Sequence, residues 1–290
     1  MRLAEHDGRA TLIVEAGGID LARASDGTFG PGVQSIYDRW DAFRAFTDGA
    51  GISGSGEDGV AANAAVVVEQ SRLGSPAPTP RQVFAIGLNY RSHAEESGTE
   101  VPAVPATFTK FPASLTGPFA EVELSGETVD WEVELVVVIG RRADRVPESE
   151  GWDHVAGVTV GQDISDRTLQ FAAASQFSLG KSYRGYGPMG PWLVTPDSLE
   201  DPDDLGLGCS VNGEVVQDGR TSDMVFSVPR LIADLSAVLP LLPGDAIFTG
   251  TPAGVGMRRT PPRFLRPGDL LESWIEGIGT IRNRLVAARP

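Results

Sequence analysis

Apolar positions along this chain come in short bursts punctuated by Gly, Pro, Asn and Asp. The burst at residues 129–140 reads Val-Asp-Trp-Glu-Val-Glu-Leu-Val-Val-Val-Ile-Gly: alternation at first, then a continuous apolar run. Side chains on a strand alternate between faces. Asp130, Glu132 and Glu134 therefore share one face, and Trp131, Val133 and Leu135 the other. The β-branched richness of residues 135–139 marks a buried strand, which puts the acidic end at the edge of a core. Taken alone, this is a half-exposed edge strand whose charge resists aggregation.

Other bursts predict the elements around it. Residues 10–24 form two short strands about Ala16-Gly17-Gly18, and Ile36, Trp40 and Phe43 recur at helical spacing. Residues 49–59 are a Gly/Ser/Asp loop, followed by a brief strand at 66–68. The proline-rich residues 75–80 are a stiff linker, dividing a small N-terminal α+β module (residues 1–75) from a larger body (76–290). In the body, strands are expected at 83–88, 107–111 and 155–160. A helix is expected from Asp166 to about Gln176 with Ser165 as its cap, then a loop over 177–191. Asn212-Gly213 is a hairpin signal. Leu231, Ile232, Leu235, Val238 and Leu239 line one face of a helix with Ser227 as cap and Pro229 in its first turn. Pro-Gly-Asp turns at 243–245 and 267–269 feed strands at 246–249 and 270–275. Many short strands with about three helices and no βαβα alternation give a strand-rich α+β class, neither Rossmann nor TIM barrel.

Composition narrows the function. The 290 residues are 41% hydrophobic and 22% charged, as in ordinary globular proteins. A net charge of −15 without a basic run excludes a nucleic-acid partner, and no basic helix suggests attachment to a membrane surface. A single cysteine, Cys209, supports neither a disulfide framework nor a zinc site. The N-terminus is polar and no apolar stretch nears the ~20 residues of a membrane span, so a cytoplasmic protein is expected.

Candidate chemistry concentrates in a few places. Asp163 lies where a strand meets a helix, with Arg167 and Gln170 following four and seven residues later. Alone it would be a cap or a helix-dipole partner. With Glu132 and Glu134 it completes an all-oxygen set suited to a hard cation, Mg²⁺, Mn²⁺ or Ca²⁺, with coordination positions left for water and substrate. His93 and Glu96, three residues apart, can meet on a helix. A carboxylate beside an imidazole fixes its tautomer and raises its basicity, as a general base acting on water needs. Their segment follows a buried strand and precedes Pro and Gly breakers, the position of a lid. His6 and His154 have no such partner and are structural or solvent-exposed. Lys181, flanked by small residues on a Gly/Pro-rich loop, can approach an anion. Residues 250–256, Gly-Thr-Pro-Ala-Gly-Val-Gly, can hold a carboxylate on backbone N–H groups such as that of Gly250 and on the Thr251 hydroxyl. They lack the P-loop and dinucleotide signatures.

In order, Asn89-Tyr90-Arg91-Ser92-His93, Asp130-Trp131-Glu132-Val133-Glu134-Leu135, Asp163-Ile164-Ser165-Asp166-Arg167, Gly180-Lys181-Ser182 and residues 250–256 resemble the fumarylacetoacetate hydrolase family over roughly residues 82–288. The resemblance implies a mixed β-roll or β-sandwich body with a small N-terminal domain, acting as a homodimer. It implies Glu132, Glu134 and Asp163 as metal ligands and His93 with Glu96 as a water-activating dyad. Arg167, Gln170, Lys181, Gly250 and Thr251 correspond to positions that contact a small anionic 2-oxo acid. Two departures bear on the pocket: Arg184 stands where many members carry Asp, and Gln162 where Asn is frequent. The expected activity is hydrolytic C–C cleavage of a 2,4-dioxo acid such as an acylpyruvate, with Lys181 and the metal stabilising the departing enolate. The alternative is an isomerase or decarboxylase of a 2-oxo acid, of the 2-hydroxyhepta-2,4-dienedioate isomerase or oxaloacetate decarboxylase type. A non-catalytic protein with a structural Ca²⁺ is the remaining rival.

Overall fold

The computed structural model describes residues 1–15, 17–49, 64–174 and 176–288. In it the Val133–Ile139 strand lies inside a sheet, antiparallel to Val155–Gln162 on one side and to Ala246–Phe248 on the other. Every residue of the strand is buried. Burial on both faces explains the unbroken apolar run. Leu135, Val137 and Ile139 pack with Cys209, Leu271 and Ile281 of a second sheet, whereas Val136 and Val138 pack against Tyr37, Trp40 and Phe43 of the N-terminal region. The edge-strand expectation is thus corrected: the carboxylates lie within the fold, where charge must be matched rather than hydrated.

Among the described residues the main sheet has 12 strands, ten along one path and two beside it, Leu73–Gly74 on Arg2–His6 and Leu115–Thr116 on Gly187–Val194. From Ala65–Val66 it runs through Gly17–Asp20, Arg9–Val14 and Arg2–His6 to Gly187–Val194. It continues through Val155–Gln162, Val133–Ile139 and Ala246–Phe248 to Val83–Gly87 and Ala106–Thr109. The second sheet is ordered Glu214–Arg220, Gly206–Val211, Leu270–Ile275, Gly279–Val286, Glu121–Glu123. Both are open, with no closed barrel among the described residues. Local signals explain many of the joints. Asn212 and Gly213 take φ of 54° and 83°, the left-handed pair a two-residue hairpin requires. Ser227 caps Val228–Ser236 by accepting from the Arg230 N–H.

Three expectations differ from the structure. Residues 177–191, read as loop, contain the start of a central strand, Gly187–Val194. Its glycines serve close approach: a Cβ at Gly187 would lie 2.8 Å from Leu115 Cδ2, and one at Gly190 2.8 Å from Pro118 Cβ. The following helix expectation also shifts: it spans only Arg167–Ala172, and its cap is Asp166, which accepts from Leu169 N at 3.0 Å. Ser165 instead pairs with Asp130 in a two-residue ladder. That ladder separates Val129–Asp130 from Val133–Ile139, so the acidic segment is two strands with a break at Trp131 and Glu132. The expected loop at 49–59 lies, from residue 50 onward, outside the described residues. Among the described residues no helix is long and apolar enough to cross a membrane.

The tight stacking gives a test. A Cβ on Gly157 would come within 2.6 Å of both Leu193 Cγ and the Val194 carbonyl oxygen. Gly157→Ala should lower stability by about 1–3 kcal/mol, read as a lower urea midpoint at unchanged slope. Gly32→Ala, with nothing within 4 Å, should leave the midpoint in place; equal midpoints for the two variants would contradict the packing described.

Candidate active site

Strand pairing brings the acidic residues together. The Asp163 N–H donates to the Glu132 carbonyl at 2.9 Å, so the end of Val155–Gln162 lies beside the start of Val133–Ile139. One oxygen each from Glu132, Glu134 and Asp163 lies within 4.8 Å of the others, and all three residues are buried. Gln162 clamps the arrangement. Its Oε1 accepts from Glu132 N at 2.8 Å and its Nε2 donates to Ser273 Oγ at 2.9 Å, tying the site to the second sheet.

Three cations surround these carboxylates. Lys181 Nζ is 2.6 Å from both Glu132 Oε2 and Asp163 Oδ2. Its loop lies flat on the Arg167–Ala172 helix because Gly180 has no side chain: a Cβ there would meet Gln170 N at 2.4 Å. Arg167 Nη1 lies 2.7 Å from Glu132 Oε1 and donates to Gln170 Oε1 at 2.9 Å. Arg167 Nε donates to Asp130 Oδ2 at 2.8 Å, while Nη2 is 2.7 Å from the same oxygen without a hydrogen bond's alignment.

The third cation, Lys110, was not singled out from the sequence. It is fully buried and donates to Asp163 Oδ1 at 2.6 Å and to the Lys181 carbonyl. A signal was present: Lys110 and Lys181 are the only two lysines among 24 basic residues, and both stand here. An ammonium concentrates three donors at one point, which a guanidinium cannot do in the same space. Gln217 was missed as well. It accepts from Val133 N at 2.9 Å and donates to Thr251 Oγ1 and the Pro252 carbonyl at 2.8 Å each.

The electrostatics single out one carboxylate. Burial alone would raise the Glu132 carboxyl, but Lys181 and Arg167 outweigh it and hold it well below the usual carboxylate range. Burial, then the charges of Asp163 and Glu132, push Glu134 well above the usual range; the Gly250 N–H, at 2.8 Å, is its hydrogen-bond donor. For Lys181, burial works against the charged form, yet Asp163 and Glu132 carry its pKa upward. For Lys110 burial prevails and lowers it. Three convergent carboxylates, one of them short of positive charge, form a donor set that fits a hard divalent cation.

His93, Glu132, Arg167, Gln170, Lys181 and Thr251 all line one cavity of about 220 Å³. Glu134 and Asp163 adjoin it through the carboxylate cluster, and Glu96 through His93. The Arg91–Ser97 helix holds the dyad, with Glu96 Oε2 at 3.1 Å from His93 Nδ1 and Oε1 accepting from Gly254 N at 2.9 Å. Its first turn is anchored where Ser92 Oγ donates to Asp223 Oδ2 at 2.6 Å. The Gly250 N–H and the Thr251 hydroxyl, expected to face a substrate, have partners within the protein: Glu134 for the first, and for the second the Val133 carbonyl at 2.8 Å. A larger cleft, about 790 Å³ at Tyr183 and Arg184, contains none of the acidic cluster.

The family model for the fumarylacetoacetate (FAA) hydrolase C-terminal domain matches residues 82–286. The chain belongs to this family. The Bacillus subtilis oxaloacetate tautomerase YisK is 44% identical over 225 residues, 75% of this chain and 74% of that one. A Mycobacterium smegmatis crystal structure, described provisionally as an HpcE protein, superposes with a TM-score of 0.92 at 52% identity, covering 100% of both chains. Maleylpyruvate hydrolase from Sphingobium sp. SYK-6, solved with manganese(II) and pyruvate, does so at 0.78 and 27% identity, again over 100% of both. The family is one of enzymes, and this chain carries a buried acidic triad.

Lys110 is testable without any ligand. Lys110→Met removes the cation from a fully buried ion pair and should cost about 3–5 kcal/mol, measured by urea unfolding. An unchanged midpoint would show that Asp163 does not depend on it.

Proposed function

We propose that this chain is a divalent-metal-dependent enzyme that interconverts the keto and enol forms of a small 2-oxo acid, an oxaloacetate-type tautomerase. The observation that carries the reading is the meeting, on one cavity, of the Glu132-Glu134-Asp163 cluster with Lys181, Arg167 and His93. Such a site suits a reaction whose charge develops on an oxygen next to a carboxylate. Mg²⁺ or Mn²⁺ held by Glu132, Glu134 and Asp163 would supply Lewis-acid polarisation of the 2-oxo carbonyl.

The chain's own groups account for the proton movements. His93, with Nδ1 engaged by Glu96, uses Nε2 to take a proton from the carbon next to the carbonyl. The electrons of that C–H bond become the C=C bond, and the negative charge passes to the carbonyl oxygen. Lys181 meets that charge with a hydrogen bond. The enol is complete when a proton from the imidazolium, carried by water, reaches the oxygen. Arg167 and Gln170 orient the substrate carboxylate.

Hydrolysis, the first expectation from the sequence, uses the same dyad on water and passes through the same enolate. It is the second reading, favoured by the His93–Glu96 geometry and by the maleylpyruvate hydrolase at 27% identity. Tautomerisation has the stronger support because the relative at 44% identity bears that name.

Two measurements separate these. Mn²⁺ at a hundredfold its Kd should stabilise the protein by about 2.7 kcal/mol, and Glu134→Gln should abolish the gain; a gain that persists would remove Glu134 from the metal site. With the Mn²⁺-loaded protein, the enol of oxaloacetate should disappear without release of carbon dioxide. His93→Ala should slow this by roughly 10²–10⁴-fold. Pyruvate and a free acid formed from an acylpyruvate, with oxaloacetate untouched, would overturn tautomerisation in favour of hydrolysis.

A further inference from the structure

The cavity that receives the 2-oxo acid has one cation not engaged elsewhere. Arg167 and Lys181 are bound to Asp130, Glu132 and Asp163. Arg258 lines the same cavity and is exposed. Among the described residues its guanidinium has no ion pair or hydrogen bond. Its neighbours are tied down: Arg263 lies 2.7 Å from Glu214 Oε2, Arg259 donates to the Val216 carbonyl at 3.0 Å, and both lie over the Trp131 ring. In a chain of net charge −15, an arginine at a cavity mouth with no acidic partner is an unmet charge.

The backbone that carries Arg258 is held in place. It ends the short turn Gly256–Arg258, and the Gly256 and Met257 N–H groups donate to Asp130 at 2.7 and 3.0 Å. Asp130 is the carboxylate that holds Arg167, which in turn holds Glu132. The backbone of Arg258 is thereby coupled, through one buried carboxylate, to the cluster where the 2-oxo head would bind. Phe108, Phe171, Phe177 and Met257 line the same cavity and make much of its wall apolar. An apolar wall cannot solvate a second carboxylate.

We propose that Arg258 is the specificity residue for the far carboxylate of the substrate, and that this chain therefore selects 2-oxo dicarboxylates over 2-oxo monocarboxylates. This rests on the function proposed above and adds which substrate class the site prefers. A guanidinium suits the task because it can pair with a carboxylate through two parallel N–H donors.

The test uses L-malate and L-lactate, stable 2-hydroxy analogues that differ by one distal carboxylate, titrated calorimetrically into Mn²⁺-loaded protein. The wild type should bind malate more tightly. Arg258→Met should weaken malate by about 10- to 100-fold, as loss of a charged hydrogen-bonded contact does, while leaving lactate affinity and the urea midpoint unchanged. Arg258→Lys should recover part of the preference. In turnover, Arg258→Met should raise KM for oxaloacetate much more than it lowers kcat. Equal weakening of malate and lactate, or no weakening of either, would overturn the assignment while leaving the tautomerase reading intact. Failure of the wild type to bind either acid would remove that reading itself, and this proposal with it.

Discussion

The structure depends on how buried charge is balanced at one point. Asp130, Glu132, Glu134 and Asp163 are buried against Lys110, Arg167 and Lys181. Four carboxylates facing three cations leave one negative charge unmatched, and the electrostatics assign the excess to Glu134. A proton can meet it, or a metal ion can. With a divalent cation bound, the cluster changes from one charge short to one charge in surplus, which is what an anionic substrate needs. This reconciles a strongly acidic chain with an acidic substrate: local charge, not bulk charge, governs the pocket.

The sheets exist in the form that makes this balance possible. Antiparallel pairing of Val133–Ile139 with Val155–Gln162 brings Glu132 and Asp163 side by side. Ala246–Phe248 on the other side delivers Gly250 to Glu134 and Thr251 to Val133. Cores on both faces of the central strand hold these positions rigidly. Preorganised donors of this kind need no rearrangement as charge develops.

Much of the site was legible in the sequence because its signals were local. Glu-x-Glu at the head of a buried apolar run, His93 with Glu96 at helix spacing, and the Asn212-Gly213 turn are each short-range signals. What was not legible depends on distant pairing. Lys110 meets Asp163 across 53 residues of chain; only the scarcity of lysine pointed to it. The strand Gly187–Val194 was hidden because glycine and proline usually mark turns, whereas here they allow Leu115 and Pro118 to approach. Burial of the acidic strand depended on what covers its two faces, which its own alternation does not contain. The choice between hydrolase and tautomerase is of another kind: both use one enolate and the same residues, so a motif that specifies the site does not specify the reaction.

The most direct measurement is anomalous diffraction from a crystal of this protein soaked with Mn²⁺ and pyruvate. One strong peak is expected, bonded to oxygens of Glu132, Glu134 and Asp163, with the carboxylate and keto oxygens of pyruvate completing its coordination. A cluster without a peak, with Lys181 still bridging Glu132 and Asp163 in the presence of saturating Mn²⁺, would contradict this assignment.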